Sequence, residues 1–151
     1  MTKPLIQPVN ATLVESVHKI FSSWQTLNSG QATFFSSWTP EQVTQELQDH
    51  FTLGAFQEQE LKAVIFYRKT ESAWEISQLA THPQAQRQGL MQALLLSLKG
   101  QLPPRQQLWL EVHEKNTPAR RLYESAGFKQ AHYRKSYYRD GGGACLYTYR
   151  K

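Results

Sequence analysis

Residues 74–100 read WEISQLATHPQAQRQGLMQALLLSLKG, and the periodicity changes in the middle of the run. WEISQLATH has the alternation of a strand, and the apolar residues after Gly89 recur at helical spacing, which predicts a helix over 88–99. Between them lie Pro83 and the polar run Gln86, Arg87, Gln88, closed by Gly89. The junction offers no Ser, Thr, Asp or Asn after Thr81 to cap the helix. A glycine near a helix start costs about 1 kcal/mol against alanine, which close approach of a ligand to the backbone would offset. The free N–H groups of a first helical turn, at the positive end of the dipole, form an anion site. Arg87 would add a full charge. A solvated turn with a flexible glycine accounts for this segment equally well when it is read alone.

Working outward, Leu13, Val17, Ile20 and Phe21 mark a helix over 11–24, and Pro4 and Pro8 suggest a short strand and turn before it. Residues 25–38 read as a loop with exposed aromatics. Thr39 as cap, Pro40 at the first position and Glu41 in the first turn open a second helix. FTLGAF and LKAVIFYRKT are two strands joined by the polar turn QEQE, with WEISQLATH the third. QLWLEV is a strand, and NTPARRLYESAGF a helix capped by Asn116 and stopped at Gly127. The tail forms two strands around a glycine-rich connection. The order β-α-α-β-β-β-α-β-α-β-β predicts one α/β domain over residues 1–151, a mixed sheet with helices on its faces.

The 151 residues suffice for one core, and the 40% apolar and 19% charged fractions are those of a globular chain. No apolar run approaches the roughly 20 residues of a membrane span, and MTKPLIQPVN has no apolar signal region. The single cysteine, Cys145, excludes an internal disulfide and fits a cytoplasmic location. The five histidines never fall at ligand spacing, so no metal is expected. A net charge of +5 favours anionic partners without naming them.

In LWLEVHEKNTPARRLYESAGF, alternation places Trp109, Glu111 and His113 on one strand face. Glu111 is then either solvent-exposed or functional. Tyr123 shares a helix face with Ala119, Leu122 and Ala126, the position of a core aromatic, and Asn116 is explained as an N-cap. Taken together, these runs are more specific. Gln86-Arg87-Gln88-Gly89-Leu90 resembles the phosphate-loop signature Q/R-x-x-G-x-G/A of the GNAT superfamily of acetyl-CoA-dependent N-acetyltransferases, with Met91 where Gly or Ala is usual. The order strand Glu, cap Asn, helix Tyr and GF resembles the bacterial ribosomal-protein alanine N-acetyltransferase (RimI-type) branch. WTPEQVTQEL and YRKSYY resemble further segments of that branch, and the likeness is clear over about residues 74–138.

The resemblance implies a single-domain GNAT fold with a mostly antiparallel central sheet. It implies Glu111 as general base, Tyr123 as general acid and Asn116 as a coenzyme contact. The backbone of Leu79, Ala80 and Thr81 would pair with the pantetheine arm. Gln86, Arg87, Gln88, Gly89, Leu90 and Met91 would hold the diphosphate of acetyl-CoA, and Tyr137 and Tyr138 would flank the acceptor. That acceptor would be a protein or peptide N-terminus, with alanine first. The tail is shorter than in that branch and carries DGGGA, so the groove can admit a different peptide.

The chemistry is consistent with these roles. A neutral amine attacking a thioester needs a base, and the leaving thiolate needs a donor, with reference pKa values near 10 for Tyr and about 8.5 for a thiol. No covalent enzyme intermediate is required. An α-amine, with a pKa of about 7.7–8.0, is easier for one carboxylate to serve than a lysine near 10.4. A GNAT acting on a small amine or a lysine is the nearest alternative. From another class comes an RNA- or ribosome-binding module, because HYRKSYYRDGGGACLYTYRK interleaves aromatics with basic residues; a surface hairpin explains that tail more simply.

Overall fold

The computed structural model describes residues 3–27 and 37–151, with the backbone alone at 26 and 27. Strand β1 (Leu5–Pro8) leads through a 3-10 turn at Ala11–Leu13 into helix α1 (Val14–Leu27). The Asn10 side chain caps that turn by accepting the Thr12 N–H. Helix α2 (Pro40–Asp49) opens with a capping box: Thr39 Oγ1 accepts the Gln42 N–H, and Gln42 Oε1 accepts the Thr39 N–H at 2.8 Å. Strands β2 (Phe51–Gln57) and β3 (Glu60–Lys69) form a hairpin. Its two turn residues, Glu58 and Gln59, both have positive φ (50° and 68°), the mirror-type turn that matches strand twist. Strand β4 (Ala73–Thr81), a 3-10 turn at Pro83–Ala85 and helix α3 (Leu90–Gln101) follow. Strand β5 (Gln107–His113), helix α4 (Thr117–Ser125) and strands β6 (Lys129–Arg134) and β7 (Ala144–Arg150) complete the chain.

The element order is the one the sequence predicts, with two corrections. Helix α1 runs on to Leu27, so residues 25–27 are not loop. Trp38 is not an exposed loop aromatic: it is half-buried, edge-on to Phe66 at 5.6 Å and tilted against Phe21 at 4.9 Å. Its burial depends on packing between α1 and the sheet, which no local pattern reports. The loop expected at 28–36 lies outside the described residues.

The strands form a seven-stranded sheet in the order β1-β2-β3-β4-β5-β7-β6, and only β4 and β5 pair in parallel. A parallel neighbour needs a long crossover, which α3 supplies. On one face, Val17, Ile20 and Phe21 of α1 and Val43 of α2 pack over Val64, Phe66 and Ala80. On the other, Leu90, Leu94, Leu95 and Leu98 of α3 and Tyr123 of α4 pack over Ile65, Ile76, Leu108, Leu110 and Tyr147.

The parallel pairing is short. Ala73↔Gln107, Trp74↔Leu108 and Glu75↔Trp109 are its whole register. Immediately beyond Glu75, the β3–β4 register shifts: Tyr67 pairs with Ile76 and Phe66 with Gln78, leaving Ser77 as an extra residue. A bulge bends its strand and increases the local twist. It also exchanges faces, since Trp74 and Ile76 belong to the α3 side whereas Ala80 belongs to the α1 side. The bulge at Ser77 therefore turns the second half of β4 away from β5 and leaves a gap between the two strands.

Candidate active site

Helix α3 starts at the mouth of this gap. Gly89 is its N-cap, with φ 76° and ψ 11°, and no side chain caps the helix. Arg87 also has positive φ, 62°. Two left-handed residues separated by one make the chain coil tightly, so that successive N–H groups face the same way. Among the described residues, none accepts a hydrogen bond from the N–H of Gly89, Leu90 or Met91. Three open donors at a helix N-terminus are a site for an anion. The structure adds a reason for Gly89. Its left-handed backbone favours glycine whatever binds there, and no protein atom lies within 4 Å of where a Cβ would stand. Met91, the departure from the family signature, directs its side chain into the core beneath α3, where it is 8% exposed. Its N–H stays at the mouth.

The walls of the gap follow from the register. His82 N–H donates to Lys62 O at 2.7 Å, so Thr81, one residue earlier, belongs to a non-bonded pair with Ala63. The backbone N–H and C=O of Thr81, and by alternation those of Leu79, therefore point away from β3 towards β5. Those of Ala80 serve β3. The Thr81 carbonyl is already used: the Trp24 indole donates to it at 2.8 Å. Leu79 and the Thr81 N–H are what this strand offers a bound molecule.

Opposite stand the side chains of β5 and α4. Glu111 is half-buried, and its Oε1 lies 3.5 Å from Nη1 of Arg134, which is about half exposed. So open an ion pair contributes little and gives way to a competing cation. Tyr123 is 5% exposed, edge-on to Phe128 and tilted against Tyr147. Its hydroxyl makes no hydrogen bond among the described residues, yet is not one of the sealed polar atoms. Burial holds its pKa far above that of an ordinary phenol, so Tyr123 carries its proton throughout the neutral range. The nearby Tyr138 phenol adds to that shift. Tyr138 is itself pushed up to about 12, first by burial and then by the Glu111 charge. The Glu111 charge thus acts on Tyr138, and Tyr138 in turn on Tyr123. Asn116 caps α4 by accepting the Ala119 N–H at 3.4 Å, a long contact that leaves its amide able to engage a second partner.

The connection between β6 and β7 carries the two expected tyrosines, and beside them lie His113 and Asp140, an ion pair that the sequence reading missed. Tyr137 is exposed and packs edge-on to Tyr138, with the Arg134 guanidinium 5.4 Å above its ring. His113 is buried beneath Tyr138, stacked at 4.8 Å, and its Nε2 meets Asp140 at 2.8 and 3.0 Å. A signal for this existed in GGG at 141–143. A Cβ on Gly142 would lie 2.3 Å from the His113 ring, and one on Gly143 2.3 Å from the Tyr133 hydroxyl. Tyr133 in turn donates to Glu114. Two of the three glycines are small because aromatic side chains cross directly above them. Among the described residues no cluster of His, Cys, Asp and Glu could hold a metal ion.

A sheet splayed by a bulge, with an anion site at the following helix, defines a class. Residues 15–128 match the model of the acetyltransferase (GNAT) family, and the chain belongs to it. It is similar to the [ribosomal protein bS18]-alanine N-acetyltransferase of Haemophilus ducreyi, 48% identical over 62 residues, which cover 40% of this chain and 43% of that one. The match therefore spans less than half of that relative's length. The crystal structure of the ribosomal-protein-S18-alanine N-acetyltransferase from Escherichia coli superposes with a TM-score of 0.77 at 24% identity, covering 98% of this chain and 94% of that one. The PaiA N-acetyltransferase of Thermoplasma acidophilum, solved with coenzyme A, superposes with a TM-score of 0.74 at 18% identity, covering 99% and 100%.

Proposed function

We propose that the protein transfers the acetyl group of acetyl-CoA to the α-amine of a protein N-terminus, with N-terminal alanine the first candidate. The observation that carries this reading is the gap itself. One end has three open N–H donors suited to a diphosphate, and the middle holds a carboxylate and a buried phenol coupled through Tyr138. The donors of residues 86–91 fit a diphosphate, and the outward backbone of Leu79 and Thr81 fits the amides of a pantetheine arm. Acetyl-CoA supplies the activated acyl group. Asn116 would contact the coenzyme through its free amide.

Glu111 takes a proton from the acceptor amine, whose approach displaces the loosely held Arg134. The nitrogen lone pair forms the new amide bond as the thioester C–S bond breaks. Tyr123 gives its proton to the departing sulfur. Burial keeps the phenol protonated until the thiolate charge develops, so the proton is in place when the sulfur departs. The Haemophilus ducreyi relative, whose name specifies an alanine acceptor, supports that choice of substrate, and the pKa gap between α-amines and lysine supports it independently.

The test is a matched pair of peptides, one with a free N-terminus and no lysine, the other blocked at the N-terminus and carrying one lysine. Acetylation located by mass spectrometry on the free N-terminus is expected. Faster acetylation of the blocked peptide would overturn the α-amine assignment, and no acetylation of either would overturn the proposed activity on peptides.

A further inference from the structure

We infer that His113 and Asp140 are positioning residues that fix Tyr138 in the acceptor side of the site and so set affinity for the acceptor. The inference rests on the acetyltransferase reading above. His113 sits two residues beyond Glu111 on the same strand face, at the end of β5. Both of its ring nitrogens are engaged. Nδ1 accepts the Lys115 N–H at 3.1 Å, so the proton resides on Nε2 and is donated to Asp140. The Asp140 carboxylate also accepts the Gly142 N–H at 2.8 Å, which closes the turn on itself. Two backbone bonds complete the closure, Tyr138 N–H to Gly142 O and Gly141 N–H to Tyr138 O, each 3.0 Å.

The effect is a rigid loop whose one half-buried aromatic, Tyr138, lies flat on an imidazole that cannot rotate. The stack at 4.8 Å and 20° holds the phenol beside the end of the strand that carries Glu111, and Tyr137, edge-on to Tyr138, lies under the same Arg134 that meets Glu111. Gly142 is required by the same arrangement, because any β-carbon there would strike the His113 ring. The hydrogen bonds of Asp140 among the described residues are to His113 and Gly142, neither of which belongs to the helix mouth or to β4. The strand residue sets the loop, the loop sets Tyr138, and Tyr138 shapes the entry to Glu111.

The experiment compares Asp140→Ala with the parent chain in steady-state kinetics on the free-N-terminus peptide, with acetyl-CoA affinity measured by calorimetry. Asp140 is more than half exposed, so its truncation leaves the core intact. Losing a charge-assisted hydrogen bond should raise the acceptor KM about tenfold, with kcat at saturating peptide and acetyl-CoA affinity each changed by less than about twofold. Gly142→Ala, which displaces the imidazole by another route, should reproduce the same split. Hydrogen exchange over residues 135–143 should rise in both variants. An unchanged acceptor KM in Asp140→Ala would overturn the inference, as would a parallel loss of acetyl-CoA affinity. A parent chain that acetylates no peptide would instead remove the acetyltransferase reading on which the inference stands.

Discussion

Replacing Gly89 with alanine separates what the backbone needs from what a ligand needs. The residue has φ 76°, a region where an L-residue costs roughly 1–2 kcal/mol. No atom lies within 4 Å of the β-carbon that alanine would add, so no clash increases that figure. For a chain of this size 1 kcal/mol corresponds to about 2–4 °C, and the melting midpoint should fall by about 2–8 °C. Ligand affinity should fall separately. The new methyl stands beside the donors of Gly89, Leu90 and Met91, and holding a diphosphate off even one charge-assisted bond costs about tenfold in affinity. Differential scanning calorimetry gives the first quantity and titration with acetyl-CoA at a temperature where the variant is folded gives the second. If the midpoint drops as expected while acetyl-CoA affinity is unchanged, the glycine serves the turn alone and the diphosphate binds elsewhere. An unchanged midpoint would refute the strain argument itself.

The other expectations concern the reacting groups. Tyr123→Phe keeps the edge-on packing with Phe128 and removes a hydroxyl without a protein partner, so stability should hold while kcat drops by about 10²–10⁴. Full turnover in this variant would return Tyr123 to the role of a core aromatic. Glu111→Gln should lose rate most at low pH and less as the pH passes the α-amine pKa, because more acceptor is then neutral unaided; a loss flat across pH would make Glu111 a positioning group. Tyr138 is raised to about 12 from an ordinary value near 10, so its neutral form is the one the fold favours. Its contribution to stability is present below pH 10 and is lost as the pH rises through 12. Following tyrosinate absorbance in the parent and in Tyr138→Phe should remove a late-ionising phenol; loss of one that titrates near 10 would contradict the burial described.

The local signals were legible. Periodicity gave the strand before Pro83 and the helix after Gly89, and the cap residues Thr39, Asn10 and Asn116 act where their types suggest, although only the first and last were read as caps. Glu111 stands out as a carboxylate in an apolar strand, whereas Tyr123 reads alone as an ordinary core aromatic and is singled out only by the family resemblance. Register was not legible. Ser77 is unremarkable in sequence, and its position as the extra residue of a bulge exists only in its pairing with β3. His113 and Asp140 are 27 residues apart, and their meeting depends on β7 lying beside β5. Gly89 shows the converse, a residue noticed for a helical cost that it does not bear. Its cost as a helical glycine was the starting argument, but it stands outside the helix in a conformation that favours it.

The three-residue seam between β4 and β5 has a mechanical consequence. Backbone hydrogen bonds fix strands at a set spacing and angle, whereas apolar packing resists separation but permits small sliding. Across the middle of this sheet, ladder bonds extend over only the pairs from Ala73 to Glu75, and beyond them the two wings are joined by shared side chains such as Leu94, Leu110 and Tyr123. The sheet is therefore stiff within each wing and compliant about the seam. An extended molecule lying in the opening and bonding to the Leu79 backbone would replace missing rungs, acting as a temporary eighth strand along one wall. The stiffness that fixes Glu111 and Tyr123, on the β5 wing, relative to the Leu79 wall of the β4 wing would then be complete only while that molecule is present.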